Sequence, residues 1–258
     1  MSQYATTEIT SAEIPSDNPV HQRLYFPYVE AAKYISGNVL ELGCGWGRGV
    51  ETLLPHCEHY TGLDKNQPLI NSLQEKYPKH LFKVADLPFL TEFADNSFDF
   101  IVTFQVIEHI QDDHKFLSEA ARVLKPGGKI FLTTVNRVFS LSRNPWHIRE
   151  YNTPELKTLM EKYFSKVEAK GVQGNEKVWE YYEENKQSVR KIMRFDIFDL
   201  QHNLPAWILR IPYEILNRFN RNKLMTETGG LAAEIQWSDH FVSDEAEKCI
   251  DFFFVATK

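Results

Sequence analysis

The stretch VLELGCGWGRG, residues 39–49, determines how this chain is organised. It opens with a short apolar run that is typical of a buried strand. The glycines that follow permit a tight turn and bring bare backbone close to a ligand. The next segment, VETLL at residues 50–54, has the pattern of a helix. Strand, glycine turn and helix in this order predict the nucleotide-binding half of a doubly wound α/β domain.

The spacing of the glycines indicates which nucleotide is bound. A dinucleotide fingerprint, G-x-G-x-x-G, would need glycine where the chain has Arg48, and no Walker lysine follows. The observed pattern is Glu41-x-Gly43-x-Gly45-x-Gly47, which resembles the first motif of class I S-adenosylmethionine (AdoMet) methyltransferases. The resemblance implies that the glycine backbone touches the methionine and ribose portions of AdoMet. It also implies that Glu41 helps to hold the methionine end, directly or through water. The alternative is that the glycines form only a structural turn.

Composition narrows the function classes. The 258 residues fit one large α/β domain with an insertion, and the net charge of −6 gives no whole-protein electrostatic footprint for nucleic acid. Cys44, Cys57 and Cys249 are widely spaced, which favours a reducing, cytoplasmic location over a disulfide framework or a zinc site. No apolar run approaches the roughly 20 residues that span a bilayer. Because the sequence has no evident metal-ligand cluster, it predicts a metal-independent protein.

A second strand, residues 59–63, ends at Asp64, some 17 residues past Gly47. A ribose would lie at this strand end if the glycines hold the ligand. In the methyltransferase family a carboxylate here accepts hydrogen bonds from both ribose hydroxyls. The resemblance therefore assigns Asp64 to the cofactor, together with the neighbouring positions Lys65 and Cys44.

A third strand, residues 81–85, ends at Asp86 and Leu87. In the family, an acidic residue at this site receives the adenine amino group, and its apolar neighbour packs on the ring. The resemblance assigns these two roles to Asp86 and Leu87. The alternative for Asp86 is a simple turn residue.

The segment DNSFDFIVTFQVIEHI, residues 95–110, contains a fourth strand and resembles a motif of one methyltransferase subgroup. That subgroup methylates small molecules such as quinone precursors. The resemblance places Gln105 and Val106 beside the adenosine and methionine of the cofactor. His109 is a candidate general base, since imidazole titrates near neutrality. The alternative is that Glu108 and His109 cap the next helix and shape the pocket floor.

Arg23 precedes the first strand, within an aromatic segment. In several methyltransferase families an arginine and an aromatic side chain at this place cover the AdoMet carboxylate. We expect Arg23 to make that ion pair, because a guanidinium fork matches a carboxylate. The alternative is a surface cation beside packed aromatic rings.

The loop after the fifth strand contains NPWHIREY, residues 144–151. It resembles a segment of bacterial methyltransferases found near polysaccharide and glycolipid genes. Loops at this edge of the sheet overlook the cofactor and carry function. His147 and Glu150 are the leading candidates for a base or a substrate-orienting pair. The alternative is that Arg149 and Glu150 form a salt bridge while His147 makes a loop hydrogen bond.

A long insertion, residues 173–240, separates the sixth strand from the last strand. Its first part, residues 176–199, has the mixed charge of a solvated helix. Its second part, residues 205–223, combines an apolar stripe with basic residues, and Pro212 should kink or restart this helix. We favour a lid over the substrate pocket. A helix on an anionic membrane surface, a homodimer interface and an extra helix packed on the core are the alternatives.

These motifs predict a Rossmann-like α/β fold with a seven-stranded, mostly parallel sheet and a helical insertion before the last strand. The predicted divisions are an N-terminal arm (1–20), an AdoMet-binding core (21–172), the insertion (173–240) and a final strand (241–258). The predicted function is AdoMet-dependent O-methylation of a small molecule, a sugar or a lipid-linked glycan. The alternatives are a tRNA or protein methyltransferase and a non-catalytic AdoMet-binding protein of the same fold.

Overall fold

The structure, a computed structural model, describes residue 10, residues 13–228 and residues 230–258. The described residues form one eight-stranded sheet with helices on both faces. The strands are β1 Asn38–Leu42, β2 His59–Asp64, β3 Leu81–Val84, β4 Phe98–Phe104, β5 Leu124–Val135, β6 Lys166–Gly174, β7 His240–Ser243 and β8 Asp251–Thr257. The helices are α1 Asn18–Ala31, α2 Val50–Leu53, α3 Gln67–Lys76, α4 Asp113–Val123, α5 Thr153–Met160, α6 Glu176–Met193, α7 Leu200–Asn203, α8 Ala206–Glu227 and α9 Leu231–Glu234.

The strand order is β3-β2-β1-β4-β5-β8-β6-β7. The strands from β3 to β5 pair in parallel, while β8 runs antiparallel to both β5 and β6. The predicted mostly parallel Rossmann-like sheet is therefore confirmed, with one strand more than the predicted seven. The additional strand is β7, which pairs antiparallel with the outer edge of β6. Four residues are too few to show a period-2 pattern, so β7 could not be predicted from the sequence.

The central strands are apolar because both of their faces are buried, as parallel strands require. Successive side chains along a strand point to opposite faces. Accordingly, Val39 and Leu40 of β1 belong to two different core clusters, one on each side of the sheet. Helices on both faces cover these clusters and fix the position of the strand ends.

The carboxyl ends of the parallel strands lie along one edge of the sheet. The chain order reverses between β1 and β4, because β1 pairs with β2 on one side and β4 on the other. Ligands of open α/β sheets bind in the crevice at such a switch point. The glycine turn after β1 and the loop after β4 border this crevice.

The N-terminal region differs from its prediction. Helix α1 begins at Asn18, within the segment that was predicted to be an N-terminal arm (1–20). Asp17 is fully buried and pairs with Arg218 and Arg221 of α8, so residues 13–20 are held against the insertion. These partners lie about 200 positions away in the chain, which explains why the sequence suggested a loose arm. Residues 1–9, 11 and 12 of that predicted arm lie outside the described part of the chain.

The insertion contains α6, α7, α8 and α9. Helices α6, α8 and α9 share a small apolar core that includes Val178, Leu224 and Ile235. Helix α8 continues through Pro212 and neither ends nor restarts there, in contrast to the prediction. Pro212 lies on the exposed side of the helix, where water can satisfy the carbonyl group that its missing N–H leaves unbonded. None of the described helices has the length and apolar content needed to cross a bilayer.

Candidate active site

A cleft of about 680 Å³ opens at the carboxyl ends of β1, β2, β4 and β5. This volume lies within the range of about 300–1,000 Å³ that is usual for small-molecule pockets. Side chains of α6 and α8 form its roof. Glu41 and Gly47 do not line the cleft. The other predicted site residues do line it: Arg23, Gly43, Cys44, Gly45, Asp64, Lys65, Asp86, Leu87, Gln105, Val106, His109, His147 and Glu150.

The glycine turn needs glycine for two different reasons. Gly43 has a φ of +81°, and a Cβ atom there would lie 2.4 Å from a methyl carbon of Val106. Gly43 is therefore required for contact between the turn and the loop after β4. Gly45 has a φ of +53°, and a Cβ atom there would meet nothing within 4 Å, because this position faces the open cleft. Its bare backbone is accessible to a ligand. Gly47 packs beneath the turn, where an added Cβ would lie 2.5 Å from Leu73.

Asp64 fastens the glycine turn to the end of β2. One carboxylate oxygen accepts a hydrogen bond from the Gly45 N–H and the other accepts one from the Asn66 N–H, each at 2.9 Å. A carboxylate has about four lone-pair sites, so Asp64 can still accept further hydrogen bonds from a ligand. Asp64 pairs with Val84 across the sheet, which places Asp86 at the neighbouring strand end.

Glu41 lies beneath the cleft, where it organises two tyrosines. The Tyr28 hydroxyl donates to one carboxylate oxygen at 2.8 Å, and the Tyr60 hydroxyl donates to the other. Burial raises the pKa of Glu41 to about 7, against the opposing effect of the two tyrosine hydrogen bonds. Because Tyr28 lines the cleft, Glu41 supports the cavity wall through this side chain. Direct or water-mediated contact with the cofactor stays a prediction.

We expect Glu41→Gln to remove a pH-dependent loss of stability. The Glu41 carboxyl has a pKa near 4.5 when unfolded and about 7 when folded, so wild-type protein should lose stability as pH rises between these values. The difference in unfolding free energy between wild type and Glu41→Gln should change by about 3 kcal/mol across this window and stay constant above it. Urea unfolding from pH 5 to pH 8 measures this, with the exposed Glu58→Gln as control. Parallel curves for wild type and Glu41→Gln would contradict the prediction.

Two arginines line the cleft near the glycine turn. Arg23 forms an ion pair with buried Asp251, with Nε 3.0 Å from Oδ2. Its terminal guanidinium nitrogens have no hydrogen-bond partner among the residues that the structure describes. Arg48 donates to the His21 ring at 2.8 Å and to the Thr10 hydroxyl at 2.9 Å. Burial lowers the pKa of Arg48 to about 10, still well above neutrality. Sequence reasoning used Arg48 only to exclude a dinucleotide-binding fingerprint, and it did not predict that Arg48 lines the cleft.

The loop after β5 forms a hydrogen-bonded chain around His147. His147 Nδ1 lies 2.6 Å from Glu150 Oε1, and Asn144 Nδ2 lies 2.8 Å from His147 Nε2. Asn144 uses its oxygen to accept from the Trp146 N–H, so its amide nitrogen donates to His147. These partners assign the hydrogen of neutral His147 to Nδ1, and the lone pair on Nε2 already accepts a hydrogen bond. Ser140 donates to the second oxygen of Glu150.

The alternative pairing of Arg149 with Glu150 is wrong. Arg149 instead forms a salt bridge with buried Asp113 of α4, which also accepts a hydrogen bond from the Tyr151 hydroxyl at 2.8 Å. The loop is thereby fixed to α4, and Glu150 remains paired with His147. The sequence analysis named His147 and Glu150 as a candidate pair, and the two side chains are hydrogen-bonded in the structure.

His109 presents a ring nitrogen to the cleft. Its Nδ1 lies 3.0 Å from the Trp146 carbonyl oxygen, so Nδ1 carries the hydrogen and Nε2 carries the lone pair. Within the described part of the chain, Nε2 of His109 has no hydrogen-bond partner. The ring lies edge-to-face with His147, with centroids 5.0 Å apart. Geometry therefore favours His109 over His147 as a proton acceptor.

Glu108 lies below His109 and is buried. One of its oxygens accepts from the Thr134 hydroxyl at 2.8 Å, while the other has no hydrogen-bond partner among the described residues. Burial raises the pKa of Glu108. The alternative of a helix cap is wrong, because Asp112 caps α4.

Glu108, His109 and His147 offer ligand atoms within 4.8 Å of one another, and the predicted independence from metal stays a prediction.

Gln105 holds a backbone conformation that L-residues rarely adopt. Its φ is +57°, directly after β4, and its N–H donates to the Thr133 carbonyl at 2.9 Å. Strained residues of this kind cluster at functional sites. The sequence placed Gln105 at the cofactor through a motif, but it gave no sign of the left-handed backbone.

The roof of the cleft is the part that sequence reasoning missed. Its polar side chains come from α6 and α8, and the α8 residues follow a helical stripe at spacings of four, seven and eight positions. The sequence shows this spacing, but the helix was interpreted from its apolar stripe alone. The polar roof residues are Tyr181, Tyr182, Asn185, Tyr213, Asn217, Asn220 and Arg221.

Comparison with known proteins shows what part of the chain is similar to. Residues 40–132, which include the glycine turn, Asp64, Asp86 and His109, match the family model described as a methyltransferase domain. Over this segment the chain is similar to AdoMet-dependent methyltransferases. It is similar to a probable S-adenosylmethionine-dependent methyltransferase of Mycolicibacterium smegmatis, with 36% identity over 60% of this chain and 63% of the relative.

Two further methyltransferases are similar over different lengths. A ubiquinone biosynthesis O-methyltransferase of Coxiella burnetii is 33% identical over 47% of this chain and 52% of that protein. The chain thus matches between about half and two thirds of the length of these curated relatives. A structure described as a possible histamine N-methyltransferase from Thermotoga maritima covers 93% of this chain and 91% of its own. Its TM-score of 0.55 at 17% identity supports the Rossmann-like fold of this chain.

Proposed function

We propose that this methyltransferase transfers the methyl group of AdoMet to a hydroxyl oxygen of a small molecule, a sugar or a lipid-linked glycan. One observation carries the proposal. The cleft joins the AdoMet motif residues at the strand ends to a histidine whose Nε2 presents a lone pair and to a polar roof from the insertion. The first part fits the methyl donor, the second accepts a proton and the third fits a hydroxylated acceptor.

The residues of the cleft fit AdoMet. Gly45 leaves open space beside its backbone, where a ligand can approach closely. Asp64 has acceptor capacity for ribose hydroxyls beyond its two backbone hydrogen bonds. Arg23 can direct its terminal nitrogens at the methionine carboxylate, while Asp251 holds the other edge of the guanidinium. Asp86 and Leu87 line the same wall for the adenine.

When bound, AdoMet supplies a methyl group that its sulfonium activates for transfer by in-line displacement. The protein must align the acceptor oxygen with that methyl and exclude water. Nε2 of His109 is placed to take the proton of the acceptor hydroxyl as the oxygen attacks. The hydrogen bond from Nδ1 to the Trp146 carbonyl keeps the lone pair on Nε2. His147, held by Glu150 and Asn144, fixes the orientation of the His109 ring through their edge-to-face contact.

The roof supports a polar acceptor rich in hydroxyl groups. Side-chain amides such as Asn185, Asn217 and Asn220 both donate and accept hydrogen bonds, as do tyrosine hydroxyls. A sugar ring presents the same mixture of donors and acceptors. The similarity to an O-methyltransferase of C. burnetii supports oxygen as the acceptor atom.

Calorimetric titration with AdoMet and with its demethylated product tests the cofactor half of the proposal. We expect micromolar binding of both and no binding of NAD, since Arg48 replaces the third glycine of the dinucleotide fingerprint. Mass-spectrometric screening of sugars, glycolipids and quinols then tests the acceptor half. Binding of NAD without binding of AdoMet would overturn the proposal, and so would methylation of nitrogen acceptors alone.

We expect His109→Ala to lower kcat by about a hundredfold, because a positioned base contributes roughly 10²–10⁴-fold. AdoMet affinity should change less than about twofold, since His109 lies on the acceptor side of the cleft. Added imidazole should restore part of the rate, because it can occupy the vacated volume and accept the proton. The control is His114→Ala, an exposed histidine hydrogen-bonded to Tyr163. A loss that imidazole leaves unchanged, accompanied by weaker AdoMet binding, would show a structural role instead.

A further inference from the structure

Helix α8 is oriented with its polar side inward. Tyr213, Asn217 and Asn220 point toward the cleft, and Asn220 is 4% exposed. Trp207, Ile211, Ile215, Leu216 and Phe219 lie on the opposite side and face solvent. An amphipathic helix that packs on a protein core has the reverse arrangement. The apolar stripe of α8 is therefore exposed, and the helix packs on its neighbours through Leu224 instead.

Residues 195–219 expose several apolar side chains. The connection after α6 contributes Phe195 at 87% and Ile197 at 78%. On α8 itself, Trp207 and Ile211 are 70% and 72% exposed. Exposed apolar side chains in such number mark an interaction site. We define the platform as Phe195, Ile197, Phe198, Trp207, Ile211, Ile215 and Phe219.

Exposed cations adjoin the platform at the end of α6. Arg190, Lys191 and Arg194 are exposed, and none of them forms a salt bridge within the described part of the chain. Apolar side chains bordered by unpaired cations suit a surface that is apolar within and anionic outside.

We propose that this platform docks on the headgroup layer of an anionic phospholipid bilayer. The aromatic and aliphatic side chains would enter the boundary between headgroups and acyl chains, while the cations meet lipid phosphates. A second copy of the chain fits less well, because a two-fold contact would place the unpaired cations of one copy against those of the other. The polar inner side of the same helix roofs the cleft, so docking holds the cleft beside the membrane surface. If the proposed methyl transfer is correct, on which this last step rests, the acceptor is a polar head borne by a lipid.

Vesicle co-sedimentation tests the docking independently of methyl transfer. The probes are vesicles of phosphatidylcholine alone and vesicles of phosphatidylcholine mixed with phosphatidylglycerol. We expect binding to the anionic vesicles and at least tenfold weaker binding to the neutral ones. Ile211→Ser combined with Phe219→Ser should weaken binding at least about tenfold, since two apolar side chains no longer enter the lipid boundary. Lys191→Gln combined with Arg194→Gln should weaken binding to anionic vesicles by roughly tenfold.

A matched control removes two exposed aromatic side chains elsewhere, Tyr34→Ser with Phe241→Ser, which are 54% and 48% exposed. Its vesicle binding should stay within about twofold of wild type. Absence of binding to anionic vesicles overturns the proposal, and so does equal loss in the control. Sedimentation that shows a dimer dependent on Ile211 and Phe219, without vesicle binding, would assign the platform to a second copy instead.

Titration of the same variants with AdoMet separates this proposal from the proposed function. The Ile211→Ser/Phe219→Ser variant should bind AdoMet as wild type does, because neither side chain lines the cleft. AdoMet binding without vesicle binding removes only the docking proposal. Vesicle binding without AdoMet binding removes only the proposed function.

Discussion

Replacing Asp64 with alanine is expected to weaken AdoMet binding about a thousandfold. The carboxylate is assigned to both ribose hydroxyls, and a hydrogen bond to a charged group contributes about 1.5–3 kcal/mol. In the wild type the Asp64 carboxylate accepts hydrogen bonds from the backbone N–H groups of Gly45 and Asn66, each at 2.9 Å. The substitution removes both hydrogen bonds. The glycine turn would then lose its fixed shape. A total near 4 kcal/mol corresponds to about a thousandfold change in Kd, which calorimetric titration can measure.

Two comparison variants make this result specific. Asp244→Ala removes an exposed carboxylate and should leave the Kd unchanged. Asp64→Asn keeps one acceptor oxygen and should fall between alanine and wild type. Thermal unfolding of each variant checks that the fold is retained. An Asp64→Ala protein that is folded and binds AdoMet as tightly as wild type would sink the assignment of this carboxylate to the ribose.

The cofactor side of the cleft could be predicted because its geometry is local. Parallel strands place their carboxyl ends together, so a residue known to end a strand has a known position. Asp64 is the last residue of β2, Asp86 lies two residues past the end of β3, and both line the cleft. The glycine turn follows β1 in the same way. Glu41, by contrast, lies within β1, and its partners Tyr28 and Tyr60 come from two other elements that the sequence did not connect to it.

Contacts between distant segments could not be predicted. Arg23 meets Asp251, and Arg149 meets Asp113, through packing that no spacing in the sequence encodes. His147 illustrates the limit within one loop. Its pairing with Glu150 was predicted from the loop's resemblance and its place at the sheet edge. The hydrogen bond from Asn144 to its second nitrogen depends on the folded loop.

The orientation of α8 shows a second limit. Periodicity identifies which residues share a side of a helix, and here it correctly grouped Ile211, Ile215 and Phe219. Periodicity does not show what packs against that side of the helix. Folding usually buries the apolar side of a helix, but in this chain the polar side of α8 lines the cleft. Asp17 fixes this choice, because its buried carboxylate holds Arg218 and Arg221 of the helix.

Asp17→Ala is expected to lower the free energy of unfolding by about 4 kcal/mol. Asp17 is fully buried, and its carboxylate lies 2.7 Å from an Arg218 nitrogen and 3.0 Å from an Arg221 nitrogen. Removing one partner of a buried ion pair costs about 3–5 kcal/mol, since the remaining charge keeps its desolvation penalty. Urea denaturation measures the loss. Hydrogen exchange should increase in α8 before it increases in the central strands, because this ion pair ties the helix to the start of α1.

Asp95→Ala is the matched control, because Asp95 is an exposed partner of Arg122. Exposed pairs contribute at most about 1 kcal/mol, so the control should unfold close to wild type. Adding Arg218→Ala to Asp17→Ala should restore part of the lost stability, since one unpaired guanidinium is then removed. Equal losses for Asp17→Ala and Asp95→Ala would show that the ion pair does not hold the helix. In that case the inward position of the polar side of α8 would depend on its other contacts, such as the packing of Leu224 and the hydrogen bond from Asn220 to Asn185 at 2.7 Å.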